Sequence, residues 1–235
     1  MNEKTAAENR ELIEFWSTAF TMSEEDKEKH LGDPEGWKDH APSEKLYLAA
    51  ASLGSRKKIL DYGCGSAWAS VIAAKNGCPD ITAADVSKGG IDAADFFCSL
   101  YGVTDQVHTM LVSPDWLSSV PDGTYDGLFC SNVLDVVPEE TSAQIIRESA
   151  RVVADGSPVI IGMNYWMSPE KAAEKSMDLL DGRKVYVNGI LRLVSFSDEE
   201  WTERFSPYFT VERLDHFAWP HETEETRRLF YLRKK

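Results

Sequence analysis

Cysteine pairs, membrane-length apolar runs and an excess of positive charge are all missing from this 235-residue sequence, and each absence removes a class of function. The four cysteines, Cys64, Cys78, Cys98 and Cys130, form no CxxC pair and no cluster with histidine. That spacing argues against a zinc site or a disulfide framework and for reduced thiols in a cytosolic interior. Cys64 lies inside a glycine turn and reads as a small packing residue. No apolar run reaches the roughly 18 residues needed to cross a bilayer. The opening stretch MNEKTAAENRELIEF has no apolar signal core, so the expectation is a cytoplasmic protein with no membrane partner. Positive charge is in deficit, with 25 Lys and Arg against 39 Asp and Glu and a net charge of −14. An acidic surface repels phosphate backbones, so nucleic acid is not an expected partner. HETEE at residues 221–225 lacks the second histidine of HExxH, and no metal is expected.

What is present is enough apolar sequence for a packed core, 43% of residues, arranged in two rhythms. Residues 1–55 read as a helical N-terminal cover, with Leu12, Ile13, Phe15, Trp16 and Phe20 near one face and a cap signal at Ser23. From Lys57 short apolar runs alternate with helical stretches: KKILDYG, DITAADV, QVHTMLV, YDGLFCSNVLDVV and SPVIIGMNYW are the strand candidates. Such alternation implies right-handed crossovers and a parallel sheet covered on both faces. Residues 56–166 form the expected core. Residues 167–196 interrupt it as an inserted flap, with a possible hairpin around Asn188–Gly189. Residues 197–235 supply a capped helix and two late strands that read as an antiparallel addition. The whole is expected to be one domain.

The stretch KKILDYGCGSAW, residues 57–68, carries the first sign of chemistry. In a doubly wound sheet ligands bind beyond the carboxyl ends of the strands, where the strand order reverses. Gly63 and Gly65 leave the first strand at that edge, where glycine permits close backbone approach. Asp85 ends the second strand, 22 residues beyond Gly63, where a carboxylate can accept both hydroxyls of a ribose, with Val86 beside it. Asp115 and Trp116 follow the third strand, where they could meet an adenine. Ser131, Asn132 and Asp135 follow the fourth, facing the same cleft. A dinucleotide fingerprint needs a small residue where this chain has Trp68, and no Walker lysine follows. Asp61 repels a pyrophosphate and favours an ammonium or sulfonium. These residues point to S-adenosylmethionine (SAM) as cofactor. An NAD(P)-dependent oxidoreductase and a SAM-binding module without catalysis are the alternatives.

ILDYGCGSA, AADVS, PDGTYDGLFCSNVLDVVP and ESARVVADGSPVIIG resemble successive motifs of the class I SAM-dependent methyltransferases, across Lys57–Trp166. The resemblance implies an α/β fold with a doubly wound, mostly parallel seven-stranded sheet whose last strand is antiparallel. It implies SAM lying over Gly63 and Gly65, its ribose on Asp85 and its adenine near Asp115 and Trp116. Two positions depart from the pattern: Ala67 stands where a third glycine is frequent, and Asp135 where histidine is.

Methyl transfer is an in-line displacement that needs positioning more than acid–base groups. Asp135, His216 and His221 are weak candidates for a base, while His108, within a strand, is expected to be a satisfied core histidine. Aromatic residues Trp16, Phe20, Tyr47, Tyr165, Trp166 and Trp219 fall in the parts expected to form a lid. Tyr165 and Trp166, just past the fifth strand, are the expected substrate-side pair. The acceptor is expected to be a small molecule, preferred over nucleic acid on charge.

Overall fold

The alternating apolar runs become a sheet in the computed structural model, which describes residues 3–175, 177 and 179–235. The first two residues of the expected cover and positions 176 and 178 of the expected flap lie outside the described residues. Helices α1 (Glu3–Ala19), α2 (Glu24–Leu31) and α3 (Glu44–Ser52) precede β1 (Ile59–Tyr62). Then come α4 (Trp68–Lys75), β2 (Ile81–Asp85), α5 (Lys88–Leu100), β3 (Val107–Leu111), β4 (Gly127–Ser131), α6 (Glu139–Val152) and β5 (Pro158–Met163). A short α7 (Pro169–Glu174) and the strands β6 (Lys184–Val187) and β7 (Ile190–Val194) follow. The chain ends in α8 (Asp198–Phe205), β8 (Phe209–Phe217) and β9 (Arg227–Lys234). None of the helices among the described residues is long and apolar enough to cross a membrane.

Seven strands form one sheet in the order β3-β2-β1-β4-β5-β9-β8. β1 to β5 run parallel, and β9 runs antiparallel between β5 and β8. The last strand is thus antiparallel, as the motifs imply; β8, expected with it as an antiparallel addition, runs in the direction of the first five. Every residue of β1 and β2 is buried, as it must be in strands covered on both faces. β1 pairs with β2 on one side and β4 on the other, so the order reverses there and a crevice opens beyond their carboxyl ends. β3, at the edge, has one paired neighbour and a largely exposed outer surface. This corrects the expectation for His108: its side chain is 57% exposed, with Nε2 3.9 Å from Asp80.

Local signals set the helix starts. Ser43 Oγ accepts the N–H of Leu46 at the head of α3, and Ser197 and Glu200 cap α8 reciprocally. Ser23 and Asp26 do the same for α2. The hairpin between β6 and β7 turns at Asn188 and Gly189, with φ of 53° and 80°, the left-handed pair a two-residue turn needs. Met167, Ala172, Val185 and Leu193 form a small core of their own beneath it.

α1 lies over the carboxyl edge of the sheet and is held there by close backbone contact. The Gly89 N–H donates to Ser17 Oγ at 3.1 Å, and a Cβ on Gly89 would stand 2.0 Å from the Ser17 carbonyl oxygen. The Tyr186 hydroxyl donates to Glu8 Oε1 at 2.9 Å, and the Arg192 guanidinium sits 4.1 Å from the centre of the Phe15 ring. Gly89→Ala must push α1 off α5. We expect a loss of about 1–3 kcal/mol, measured by urea denaturation, together with faster proteolytic cleavage within residues 3–19.

Candidate functional site

Leaving β1, the chain makes a turn that most side chains cannot enter. Gly63, Gly65 and Ala67 all have left-handed φ, at 71°, 51° and 58°. A Cβ on Gly63 would lie 2.2 Å from Val133 Cγ2, and one on Gly65 would lie 2.8 Å from the tip of the Phe20 ring. Both glycines are therefore required twice, by conformation and by space. Ala67, where a third glycine is frequent, is accommodated as the residue capping α4, but in a conformation that costs an alanine about 1 kcal/mol.

Two carboxylates flank this turn. Asp85, at the end of β2, accepts the Gly65 N–H on Oδ2 at 2.9 Å. Its Oδ1 accepts the N–H and hydroxyl of Ser87 at 2.7 and 2.6 Å. Asp61, on β1, is 3% exposed, and its Oδ2 accepts the N–H and hydroxyl of Ser70 at 3.2 and 2.6 Å. Burial pushes the Asp61 carboxyl up to about 7, against the lowering effect of the two Ser70 hydrogen bonds, and Asp85 adds to the rise. At the end of β4, Asn132 has φ 55°. Its N–H donates to the Gly162 carbonyl, and its Oδ1 is buried without a hydrogen-bond partner.

These residues surround one cavity of about 540 Å³. Of the sequence-derived set, Asp61, Gly63, Gly65, Asp85, Val86, Ser131 and Asn132 line it, and His221 stands at its exposed rim. Trp16 of α1 and Phe20 just after it line the cavity too, as does Trp219.

Other expected residues lie elsewhere. After β3 the chain turns into a short 3-10 helix, Trp116–Ser119; Pro114 lines the cavity, but Asp115 and Trp116 do not. Asp115 is exposed and accepts the Ser113 hydroxyl at 2.5 Å, while Trp116 packs on the core. Asp135 is fully buried outside the cavity, where Oδ2 accepts the Asn164 N–H at 2.7 Å and ties the β4 loop to the end of β5. Burial raises its carboxyl and the nearby Arg228 guanidinium opposes that rise. His216, on β8, is bound to Asp198 Oδ2 at 3.0 Å and lies outside the cavity. Tyr165 and Trp166 do not line it either. Tyr165 lies beneath Lys171 and Arg227, with their charges 5.3 and 5.8 Å from its ring centre, and Trp166 is 46% exposed. Sequence reading missed Asn9, His40, Val133, Val136 and Thr141. The hydrophobic face of α1 was the signal for its part of the wall, whereas nothing local marks His40 or Thr141.

Residues 59–156 match the family model described as a methyltransferase domain. Over these residues, about two fifths of the chain, it matches a methyltransferase domain, in keeping with the class I SAM-dependent resemblance of its motifs. S-adenosylmethionine is accordingly its cofactor. An uncharacterized protein of Synechococcus sp. is 35% identical over 108 residues, which is 44% of this chain and 25% of that protein. A ribosomal protein L11 methyltransferase of Cupriavidus pinatubonensis is 30% identical over 122 residues, 52% of this chain and 37% of that one. The match therefore spans well under half the length of these curated relatives. Among solved structures, the 1,6-didemethyltoxoflavin-N1-methyltransferase of Burkholderia thailandensis superposes with a TM-score of 0.63 at 16% identity. That match covers 89% of this chain and 87% of the other, and at such identity it speaks for the methyltransferase fold alone.

In the methyltransferase site the raised Asp61 carboxyl has a consequence for stability. Its folded value of about 7 lies above the roughly 3.9 of an unfolded aspartate. Between those values the folded chain holds a proton that the unfolded chain lacks, so stability falls as pH rises through that window and levels off above it. Asp61→Asn removes this slope. We expect the variant to be more stable than the native chain by about 1–3 kcal/mol at pH 8 and nearly equal to it at pH 4.5, read from urea denaturation at both pH values.

Proposed function

We propose that the chain transfers a methyl group from S-adenosylmethionine to a small-molecule acceptor. The observation that carries the reading is the pairing of a side-chain-free turn with two buried carboxylates on one cavity wall. Gly63 and Gly65 leave the main chain bare where a ligand would lie against it. The Asp61 carboxylate is placed for the ammonium of the methionine moiety, and Asp85 for the ribose hydroxyls. The buried, unpartnered Oδ1 of Asn132 offers an acceptor that a ligand donor would satisfy. Trp68, at the head of α4, lines the cavity where a dinucleotide site needs a small residue, which favours this cofactor over a nicotinamide one.

When bound, the cofactor would supply a methyl carbon activated by its sulfonium for in-line transfer to an acceptor lone pair, the C–S bonding pair going to sulfur and any acceptor proton to solvent. The chain's own part is placement and exclusion of water. Phe20 covers the Gly65 end of the turn and Val133 crowds Gly63, so a ligand between them meets few solvent molecules. Asp61 must be ionised to hold an ammonium, and its raised value means that binding expels a proton below neutrality.

A small acceptor is supported by the roof that α1 makes over the cavity and by the net charge of −14. The L11 enzyme among the relatives acts, by its name, on a ribosomal protein. A macromolecular acceptor here would have to displace α1.

Two measurements test the reading. In calorimetry, Asp85→Ala is expected to weaken SAM binding at least tenfold, about 1.4 kcal/mol; unchanged affinity would refute the ribose role. With the native chain, SAM affinity is expected to fall as pH drops from 7.5 to 5.5, approaching tenfold per pH unit below about 7, with proton uptake by buffer that varies with its ionisation enthalpy. Asp61→Asn should bind weakly at all pH values and show no such dependence.

A further inference from the structure

We infer that the acceptor is a small, uncharged molecule with an apolar body, held between α1 and the segment joining β4 to α6. The inference deepens the methyl-transfer reading and rests on it. The carboxylates and imidazoles of the cavity come from segments other than α1 and residues 133–145. Asp39 and His40 precede α3, Asp61 lies on β1, Asp85 ends β2, and His221 follows β8. The lining contributed by α1 and residues 133–145 carries none: Leu12, Trp16, Val133, Val136 and Ile145 line the cavity, and Leu12, Trp16, Val133 and Ile145 belong to one apolar cluster. The polar members of that wall, Asn9 and Thr141, are joined to each other. Asn9 Nδ2 donates to Thr141 Oγ1 at 3.0 Å, and the Thr141 hydroxyl can donate to Asn9 Oδ1 at 3.3 Å. An ionic acceptor group set against this wall would lose its hydration and meet no counter-charge, which is unfavourable for either sign. An anion would also share the cavity with the Asp61 and Asp85 carboxylates, and a cation would share it with the sulfonium of the loaded enzyme.

The roof sets the size. α1 is fixed to α5 through Gly89 and to the β6–β7 hairpin through Tyr186 and Arg192, so the acceptor sits beneath it. A volume of about 540 Å³, shared with the cofactor, leaves room for a ring system and not for a folded chain.

Three probes with one ring and different charge test this. 2-Naphthol, 2-naphthoate and 2-naphthylmethylammonium are titrated into the full chain loaded with S-adenosylhomocysteine at pH 7.5, by ligand-observed NMR and equilibrium dialysis. The neutral probe is expected to bind at least tenfold more tightly than either ion without displacing S-adenosylhomocysteine. Trp16→Ala is expected to weaken 2-naphthol at least fivefold while S-adenosylhomocysteine affinity changes less than threefold. Ile145→Ala makes the same comparison from α6 without touching the roof. Equal or tighter binding of a charged probe, displacement of the homocysteine nucleoside by 2-naphthol, or insensitivity to both wall variants would overturn the inference. Failure of the native chain to bind S-adenosylhomocysteine at all is a different result and would sink the methyl-transfer reading itself.

Discussion

Two α-carbons in the turn after β1 have room for hydrogen and nothing larger, and the rest of the site is organised around that crowding. Val133 presses on Gly63 from the β4 side and Phe20 presses on Gly65 from just after α1. The turn can be this tight because Asp85, one strand over, accepts the Gly65 N–H and so fixes the loop to the end of β2. Three separate parts of the chain therefore converge on five residues: the second strand, the fourth-strand loop and the N-terminal helix. The pocket wall is what remains between them. Replacing either glycine would alter the turn and also the placement of α1 or of residues 132–137, so the cofactor side and the acceptor side of the cavity share one mechanical origin.

Buried acids play two different parts in this chain, and the contrast clarifies Asp61. Asp135 has no exposure and sits near the Arg228 guanidinium, which is itself fully buried and donates to the carbonyls of Asn164 and Phe196. That pair ties the β4 loop, the end of β5, the flap and β9 together, and its charges partly compensate one another. Asp61 has no cation beside it. It has Ser70 on one oxygen and the cavity beyond, and burial makes its ionised form costly. On the proposed function, a carboxylate kept at such a cost, in a wall that a neutral residue could fill, is offset by the ligand cation it binds.

The division between what was legible in the sequence and what was not follows the range of the forces involved. Strand–helix alternation, the caps at Ser23, Ser43 and Ser197 and the Asn188–Gly189 hairpin depend on near neighbours, and the residues carry that information locally. Asp61, Gly63, Gly65 and Asp85 were readable for the same reason: each stands at a fixed offset from the end of a buried strand. Positions one or two residues further along a loop were not. Asp115 and Tyr165 sit just past strand ends, as Asn132 does, yet the turn at Pro114 and the cations Lys171, Lys175 and Arg227 around Tyr165 carry them away from the crevice. His108 was misread because sheet order, which puts β3 at an edge, is a property of the whole chain. His40 and Thr141 reach the cavity only because their own segments pack over it, and no pattern in either segment announces that.

The roof is packed more thinly than the sheet it covers, and this bears on how such a site could turn over. Of the described residues of α1, only Thr5, Asn9 and Leu12 are buried, and two of those are polar. It is also held by polar contacts, among them hydrogen bonds at Thr5, Asn9, Ser17 and Glu8 and Arg192 stacked on Phe15 and Trp16, each worth less than the apolar burial that secures β1 and β2. Local opening follows local stability, so α1 is the element that can lift while the sheet stays intact. Lifting it would free Phe20 from Gly65 and Trp16 from the acceptor wall in one movement, exposing both halves of the cavity together. A helix packed more deeply would seal the pocket better and would hold its contents for longer than turnover permits.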